Sequence, residues 1–265
     1  MINLFHSYNS KKCFQLLLIL IFCILNSLTV GAKQHPAVLN VLEQCSKCGI
    51  NQVLSPNEFN LTKRQNLISE LNYADLSAIS ASFIEDTNLF PVDNCVLRGN
   101  KKFYKGQNLH FAKKLKTQTL IRTDAVSYAE KSKYRIDQLD IPLNGLKAPN
   151  ASKLKYLVKA LDQIAEATPE KRVYVSCFFG KHRSGLVVGM YQFLREYKKD
   201  PISICTNIGS SQDKVYVLMN AIAAKGTLTY DMPSDFRQFY KDFAKSVCTE
   251  ESDDFLLGKK TSKNQ

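Results

Sequence analysis

The apolar positions of this chain change period as it runs, and the changes mark out its elements. Between Leu61 and Phe83 they recur at helical spacing (Leu67, Leu71, Leu76, Ile79, Phe83) behind Asn60 as a cap, which predicts a helix. Asp86 to Asn94 reads as a connection. Cys95-Val96-Leu97-Arg98 is a short strand, and Gly99-Asn100 supplies its turn. Leu109 to Leu115 reads as a helix, Gln118 to Ile121 as a buried strand, residues 125–132 as a short helix, and Tyr134 to Ile141 as a further strand. Behind Asn150 or Ser152 as a cap, Lys153 to Ala165 carries Leu154, Leu157, Leu161 and Ile164 on one helical face. Arg172 to Ser176 is an apolar, β-branched run of central-strand type. Gly185 to Lys198, Ser211 to Ala224 and Asp235 to Val247 read as helices. Tyr230, Phe236, Phe239, Tyr240 and Phe243 read as core rather than as a binding stripe. Strands alternating with helices predict an α/β fold, a mostly parallel central sheet flanked by helices. Ligands of such sheets sit at the carboxyl ends of the strands.

The two ends of the chain are patterned differently. Lys11 and Lys12 precede an apolar run, Cys13 to Leu25, and Val30-Gly31-Ala32 suits a signal peptidase. Residues 1–32 therefore read as a signal peptide, which predicts an exported protein, periplasmic or secreted, whose only membrane encounter is through that segment. An uncleaved anchor is the alternative, although the apolar run is short of the about 20 residues that a span needs. Residues 33–60 are weakly patterned, with Pro36 and Pro56 as breakers.

Charge narrows the partners. The chain has 36 Lys and Arg against 24 Asp and Glu, a formal charge of +12, and removing residues 1–32 takes away only Lys11 and Lys12. Such a balance attracts polyanions, or else describes a generally lysine-rich surface. Nothing resembles a base-reading motif, so nucleic acid is not an expected partner. Six cysteines follow the signal segment, at 45, 48, 95, 177, 205 and 248. An oxidising compartment makes disulfides expected, with a pairing that the sequence does not give. Cys45-Ser-Lys-Cys48 is a lone C-x-x-C that fits a structural disulfide or two unrelated thiols better than half a zinc site.

The chemistry concentrates in Val173 to Gly185, VYVSCFFGKHRSG. A β-branched run leads into Cys177, and a helix-compatible run leaves from Ser184. That layout is an anion cradle of strand, tight loop and helix N-terminus, in which the N–H groups of residues 178 to 183 can converge on one phosphate. Such surroundings favour a thiolate at Cys177. Arg183 offers a planar fork for two phosphate oxygens, and Ser184 can donate a hydrogen bond to the sulfur. Gly180, Lys181 and His182 lie inside the loop. Lys181 and His182 either meet a second phosphate or point to solvent, and Phe178 and Phe179 either wall the pocket or pack beneath it.

Cys177-Phe-Phe-Gly-Lys-His-Arg183-Ser184-Gly resembles the C-x5-R-[ST] loop of the cysteine-dependent protein tyrosine and dual-specificity phosphatases. Its interior Gly-Lys-His-Arg is similar to that of the atypical plant and fungal members, some of which act on inositol pyrophosphates. Rhodanese-like domains also carry a cysteine loop of this size, but the Arg-Ser-Gly ending favours the phosphatase. Asp140-Ile-Pro-Leu-Asn-Gly-Leu-Lys-Ala-Pro149 resembles the segment that precedes the loop in small phosphatases of this kind. The resemblance implies a dual-specificity-phosphatase-like domain over residues 92–248, after a partly helical extension (33–91) and before a polar tail (249–265). It implies a phosphoric monoester hydrolase acting on a phosphotyrosine-type or inositol polyphosphate substrate through a cysteinyl-phosphate on Cys177, with no metal or cofactor.

Two positions depart from that family's pattern. Ser176 stands where members usually carry the His that orients the loop. The usual aspartic general acid falls near Asn144 and Gly145, neither of which can protonate a leaving group, and Asp140 is the nearest carboxylate. The rival readings are a phosphate-binding module that has lost turnover and a thiol redox protein working through Cys45 and Cys48.

Overall fold

The computed structural model describes residues 33–45, 48, 60–70, 80–104, 109–124, 136–143, 147–224 and 232–259. The chain divides into two compact units, Met1–Lys33 and Gln34–Gln265, and every element below belongs to the second. The signal segment, the helix expected over 125–132, Asn144, Gly145 and Tyr230 lie outside the described residues. Among the described residues, no helix is long and apolar enough to cross a membrane.

The sheet has the expected class. Its strands are β1 (Phe90–Pro91), β2 (Val96–Asn100), β3 (Thr117–Arg122), β4 (Asp137–Asp140) and β5 (Arg172–Cys177), in the order β1-β2-β5-β3-β4. β1 runs antiparallel to β2, and the other pairs are parallel. Pro91 is tolerated because it sits on the edge strand. β5 lies in the middle, is buried along its whole length, and sends alternate side chains to opposite faces. Val173 and Val175 join Val96 and Ile121 in the larger core, while Tyr174 joins Leu97 and Leu120 in the smaller one.

Helices supply the rest of both cores. The larger takes buried residues from α1 (Pro36–Gln44), α5 (Ala151–Ala165), α6 (His182–Lys199), α8 (Lys214–Ala224) and α9 (Ser234–Cys248). The smaller takes them from α2 (Leu61–Glu70), α3 (Ala81–Thr87) and α4 (Leu109–Lys114). α7 (Pro201–Thr206) and α10 (Ser252–Leu256) are short. Leu154, Leu157, Leu161 and Ile164 of α5 are all buried, as their spacing predicts, and each contributes about 1.5–3 kcal/mol by burial. Phe236, Phe239, Tyr240 and Phe243 are core, also as predicted.

Several expectations need correction. Gly99 and Asn100 are not a turn: they continue β2, in register with Ser176 and Cys177. The helix expected from Leu61 to Phe83 is not one element, because α3 starts afresh behind Ser80, whose Oγ accepts from Phe83 N at 3.2 Å. Pro36 is no breaker. It occupies the first turn of α1, where a missing N–H costs nothing, and His35 Nδ1 caps the helix by accepting from Ala37 N at 3.1 Å. α1 and β1, both N-terminal to residue 92, contribute buried residues to the larger core. Beyond residue 249, α10 returns to the start of the unit, with Ser252 Oγ accepting from His35 N at 2.9 Å and donating to Gln34 Oε1 at 2.6 Å.

The cysteines pair across the fold. Cys48 bonds to Cys95 and Cys205 to Cys248, leaving Cys45 and Cys177 as buried free thiols. The C-x-x-C is thus neither an internal disulfide nor a redox pair, because Cys48 is committed to the residue that precedes β2. Cys48, Asp93 and Cys95 lie together, but the two sulfurs are joined and offer no thiolate to a metal. Asp93 is fully buried there. Its Oδ1 accepts from Cys95 N and Val96 N at 2.7 Å, and its Oδ2 meets the Tyr191 hydroxyl and, at 3.2 Å, Arg195 Nη1. Burial raises its pKa, against the Arg195 charge and these hydrogen bonds.

Replacing Cys205 and Cys248 together by Ser is expected to lower the unfolding free energy by about 2–4 kcal/mol, read as a lower urea midpoint at an unchanged far-ultraviolet spectrum.

Candidate active site

β5 delivers Cys177 at its carboxyl end, opposite Asn100 of β2. The chain then turns through residues 178–181 and enters α6 at His182, so strand, loop and helix follow as the sequence predicts. The turn depends on Gly180, which has φ +69°. A β-carbon there would stand 2.4 Å from Gly99 C and 2.6 Å from Gly99 O, so no other residue fits. With Gly180 so placed, its N–H donates to Cys177 Sγ at 3.1 Å. Ser184, on the first turn of α6 and fully buried, puts its Oγ 3.4 Å from the same sulfur. The first N–H groups of α6 have no intrahelical acceptor and carry the positive end of its dipole.

A layer behind the loop holds it in place, and the sequence reading missed it. Arg98 of β2 donates from Nε and Nη2 to Gly180 O at 3.1 and 2.9 Å, and from Nη2 to Lys181 O at 2.7 Å. Burial lowers its pKa to about 10, against the charge of Cys177, so it stays cationic at neutral pH. Asn88, in the left-handed conformation after α3, donates from Nδ2 to Phe179 O and Gly180 O, each at 3.3 Å. Gly99 gives room for the Tyr174 hydroxyl, which donates to Asn100 O at 3.1 Å. On the other side of β5, Thr123 Oγ1 donates to Ser176 O at 2.9 Å. The available signal was an arginine inside an otherwise apolar strand, followed by glycine (Val96-Leu97-Arg98-Gly99).

The remaining candidates surround the mouth. Arg183 is half-buried and donates from Nη1 to Leu143 O at 3.2 Å, beside the segment 144–146 that is outside the described residues. Lys181 and His182 are half-buried. Burial, and then the Arg98 charge, lower the Lys181 pKa. Phe178 and Phe179 do not pack beneath the loop: they are 40 % and 51 % exposed and meet edge to face, with centroids 4.7 Å apart. Lys101 Nζ stands 3.3 Å over the Phe178 ring, a cation that the sequence reading did not single out.

Asp140 is not placed as a general acid. Arg122 grips its carboxylate with two bonds, Nε to Oδ1 at 2.7 Å and Nη2 to Oδ2 at 2.9 Å, and Gln138 Nε2 adds two more at 3.0 Å. Partial burial works against ionisation, but these hydrogen bonds and the Arg122 charge outweigh it and hold the carboxyl below its usual pKa. A carboxyl so held has no proton to donate at neutral pH.

Two outcomes follow. Gly180→Ala is expected to abolish binding of inorganic phosphate at the loop, measured by calorimetry, because the β-carbon displaces either the Gly180 amide or β2. Asp140→Asn is expected to cost under about 1 kcal/mol of stability at neutral pH, since the Asp140 side chain is half exposed. The Asp140 contribution stands in full above the unfolded-chain pKa near 3.9 and fades as pH falls through the lower folded value. The wild-type and Asp140→Asn urea midpoints should therefore converge in acid.

Comparison of the sequence with protein-family profiles and with curated proteins finds no match. Solved structures similar to the chain include OH1, a tyrosine phosphatase from the Orf virus (20% identity, TM-score 0.41, covering 60% of this chain and 87% of that one). PTPMT1 in complex with PI(5)P is another (18%, 0.38, 60% and 96%). So is TpbA of P. aeruginosa (16%, 0.36, 62% and 92%).

Proposed function

We propose that the protein is an exported, cysteine-dependent phosphatase that hydrolyses phosphate monoesters through a cysteinyl-phosphate on Cys177. One observation carries the reading: the Cys177 sulfur lies at the carboxyl end of the central strand, hydrogen-bonded by the Gly180 amide and 3.4 Å from the Ser184 hydroxyl, under the N-terminus of α6. In the first step the thiolate attacks phosphorus. The S–P bond forms, the P–O bond to the leaving group breaks, and that oxygen departs with the electron pair and takes a proton from solvent water. The loop amides, the helix N-terminus and Arg183 stabilise the charge on the non-bridging oxygens. In the second step water attacks phosphorus, the P–S bond breaks, and the Ser184 hydroxyl donates to the departing sulfur. The products are the free alcohol and inorganic phosphate. Neither step requires a metal or cofactor.

The substrate class follows from the mouth and from proton supply. Exposed Phe178 and Phe179 suit an aryl group, and Lys101, Lys181 and His182 suit additional phosphates, so phosphotyrosine-type and polyphosphorylated inositol substrates are the two candidates. With Asp140 held ionised, good leaving groups should be strongly preferred. Turnover of an aryl phosphate is expected to exceed that of a simple alkyl phosphate by at least about 100-fold, the scale of general-acid assistance. Export is supported by the N-terminal segment and by the two disulfides, which belong to an oxidising compartment.

A second reading, a phosphate-binding module without turnover, is favoured by the Arg122 grip on Asp140. The protein and its Cys177→Ser variant, assayed under reducing conditions against an aryl phosphate and an inositol polyphosphate panel, separate the two. Release of phosphate that vanishes in Cys177→Ser is the expected result. Phosphate binding by both proteins with release by neither would sink the enzymatic reading in favour of the binding module.

A further inference from the structure

The carbonyls of the Cys177 loop are tied from behind, and that fixes where its amides point. Every peptide bond among the described residues is trans. In a planar trans peptide the C=O and the following N–H point in opposite directions. Arg98 holds Gly180 O and Lys181 O, so the N–H groups of Lys181 and His182 face away from Arg98. The neighbouring peptide shows what lies on that far side. Asn88 holds Phe179 O, and the N–H of the same peptide, that of Gly180, donates to Cys177 Sγ. The face turned away from Arg98 and Asn88 is therefore the face of the nucleophile. Asn88 is itself oriented, because Arg64 Nη1 donates to its Oδ1 at 3.3 Å and leaves Nδ2 for the loop.

Charge gives a second, independent line. Arg98 is 2 % exposed, and among the described residues it forms no ion pair with a carboxylate. A buried guanidinium ordinarily has an anionic partner, since leaving one uncompensated is strongly destabilising. Here the guanidinium meets only the neutral carbonyls of Gly180 and Lys181, on the loop that carries Cys177.

We propose that Arg98 is a positioning residue for phosphoryl transfer. From β2 it clamps the carbonyls of Gly180 and Lys181 so that the amides of Lys181 and His182 face the phosphoryl oxygens, and its charge stands behind the loop as the counter-ion of the thiolate and the bound phosphate. Asn88 completes the clamp at Phe179. The inference rests on the phosphatase reading of the loop, yet it governs oxyanion binding whether or not turnover follows.

The test uses the full chain with Arg98→Met, Arg98→Lys and Asn88→Gly, the last because glycine accepts the φ of +48° at that position. Three quantities are read: kcat and KM on an aryl phosphate, the dissociation constant of inorganic phosphate by calorimetry, and Tm. Arg98→Met is expected to lower kcat by about 100-fold, the scale set by losing one oxyanion donor, and to weaken phosphate binding. Arg98→Lys, which keeps the charge but cannot span two carbonyls, should fall between wild type and Arg98→Met. Asn88→Gly should lower both quantities several-fold at a nearly unchanged Tm. A drop in Tm with kcat and phosphate affinity intact per folded molecule would overturn the proposal, reducing Arg98 to a packing residue. If Arg98→Met does not fold, Arg98→Lys and Asn88→Gly decide on the same two readouts. Wild-type protein that binds phosphate but releases none removes the enzymatic reading alone, and phosphate affinity equal across wild type, Arg98→Lys and Asn88→Gly removes the clamp alone. No binding by wild type removes both.

Discussion

Two missing β-carbons set the geometry of this protein. Gly180 and Gly99 lie backbone to backbone, with space for no side-chain atom between them. On one side the contact forces the loop after β5 into a left-handed turn. On the other it lets the Tyr174 hydroxyl rise beneath β2 to Asn100 O, with the Tyr174 ring stacked on Phe103 at 4.1 Å. The loop is thus a continuation of the sheet rather than an appendage to it. Parallel pairing of β2 with β5, in register from Val96↔Val173 to Asn100↔Cys177, positions Cys177 and the loop that follows it.

The sheet has opposite electrostatic characters at its two ends. At the carboxyl end, Arg98 is a buried cation behind the Cys177 loop, bonded to two of its carbonyls. At the amino end, Asp93 is a buried carboxyl held by Arg195, Tyr191 and two amides. The first arrangement leaves its charge compensated only by what the site holds, whereas the second is closed within itself. That asymmetry sets the loop end of the sheet apart from the end where a connection is tied to the core. Burial alone, which both share, does not make the distinction.

The α/β class, the central strand and the strand–loop–helix layout were legible because each has a periodic or local cause. β-Branched runs, apolar residues at helical spacing and a glycine between strand and helix are visible without partners. The clamp was not legible, because its meaning lies in pairing. Arg98 is an anomaly in an apolar strand until β2 is set beside β5, and only then does its guanidinium meet two carbonyls some eighty residues later in the chain. Gly99-Asn100 was misread for the same reason: a local turn signal yielded to a ladder with a distant strand. Asp140 looked available because its neighbours in sequence are mild, and the arginine that holds it comes from β3. Disulfides were expected, but their pairing was not legible, because it joins cysteines more than forty residues apart that only the fold brings together.

The length of β5 has a chemical consequence. Cys45, which feels the charges of Asp93 and Arg195 and whose thiol burial pushes up to about 11, lies with Cys48 and Cys95 around the amino end of β2. Cys177 lies at the opposite end, one strand away, a separation of about 13 Å for four residues of extended chain. That spacing exceeds the Cα separation at which two cysteines can be bridged. An oxidant that reaches the Cys177 sulfur therefore finds none of these three cysteines poised to form a disulfide with it. The strand that carries Cys177 thus also insulates its sulfur from the cross-link that fastens the other end of the sheet.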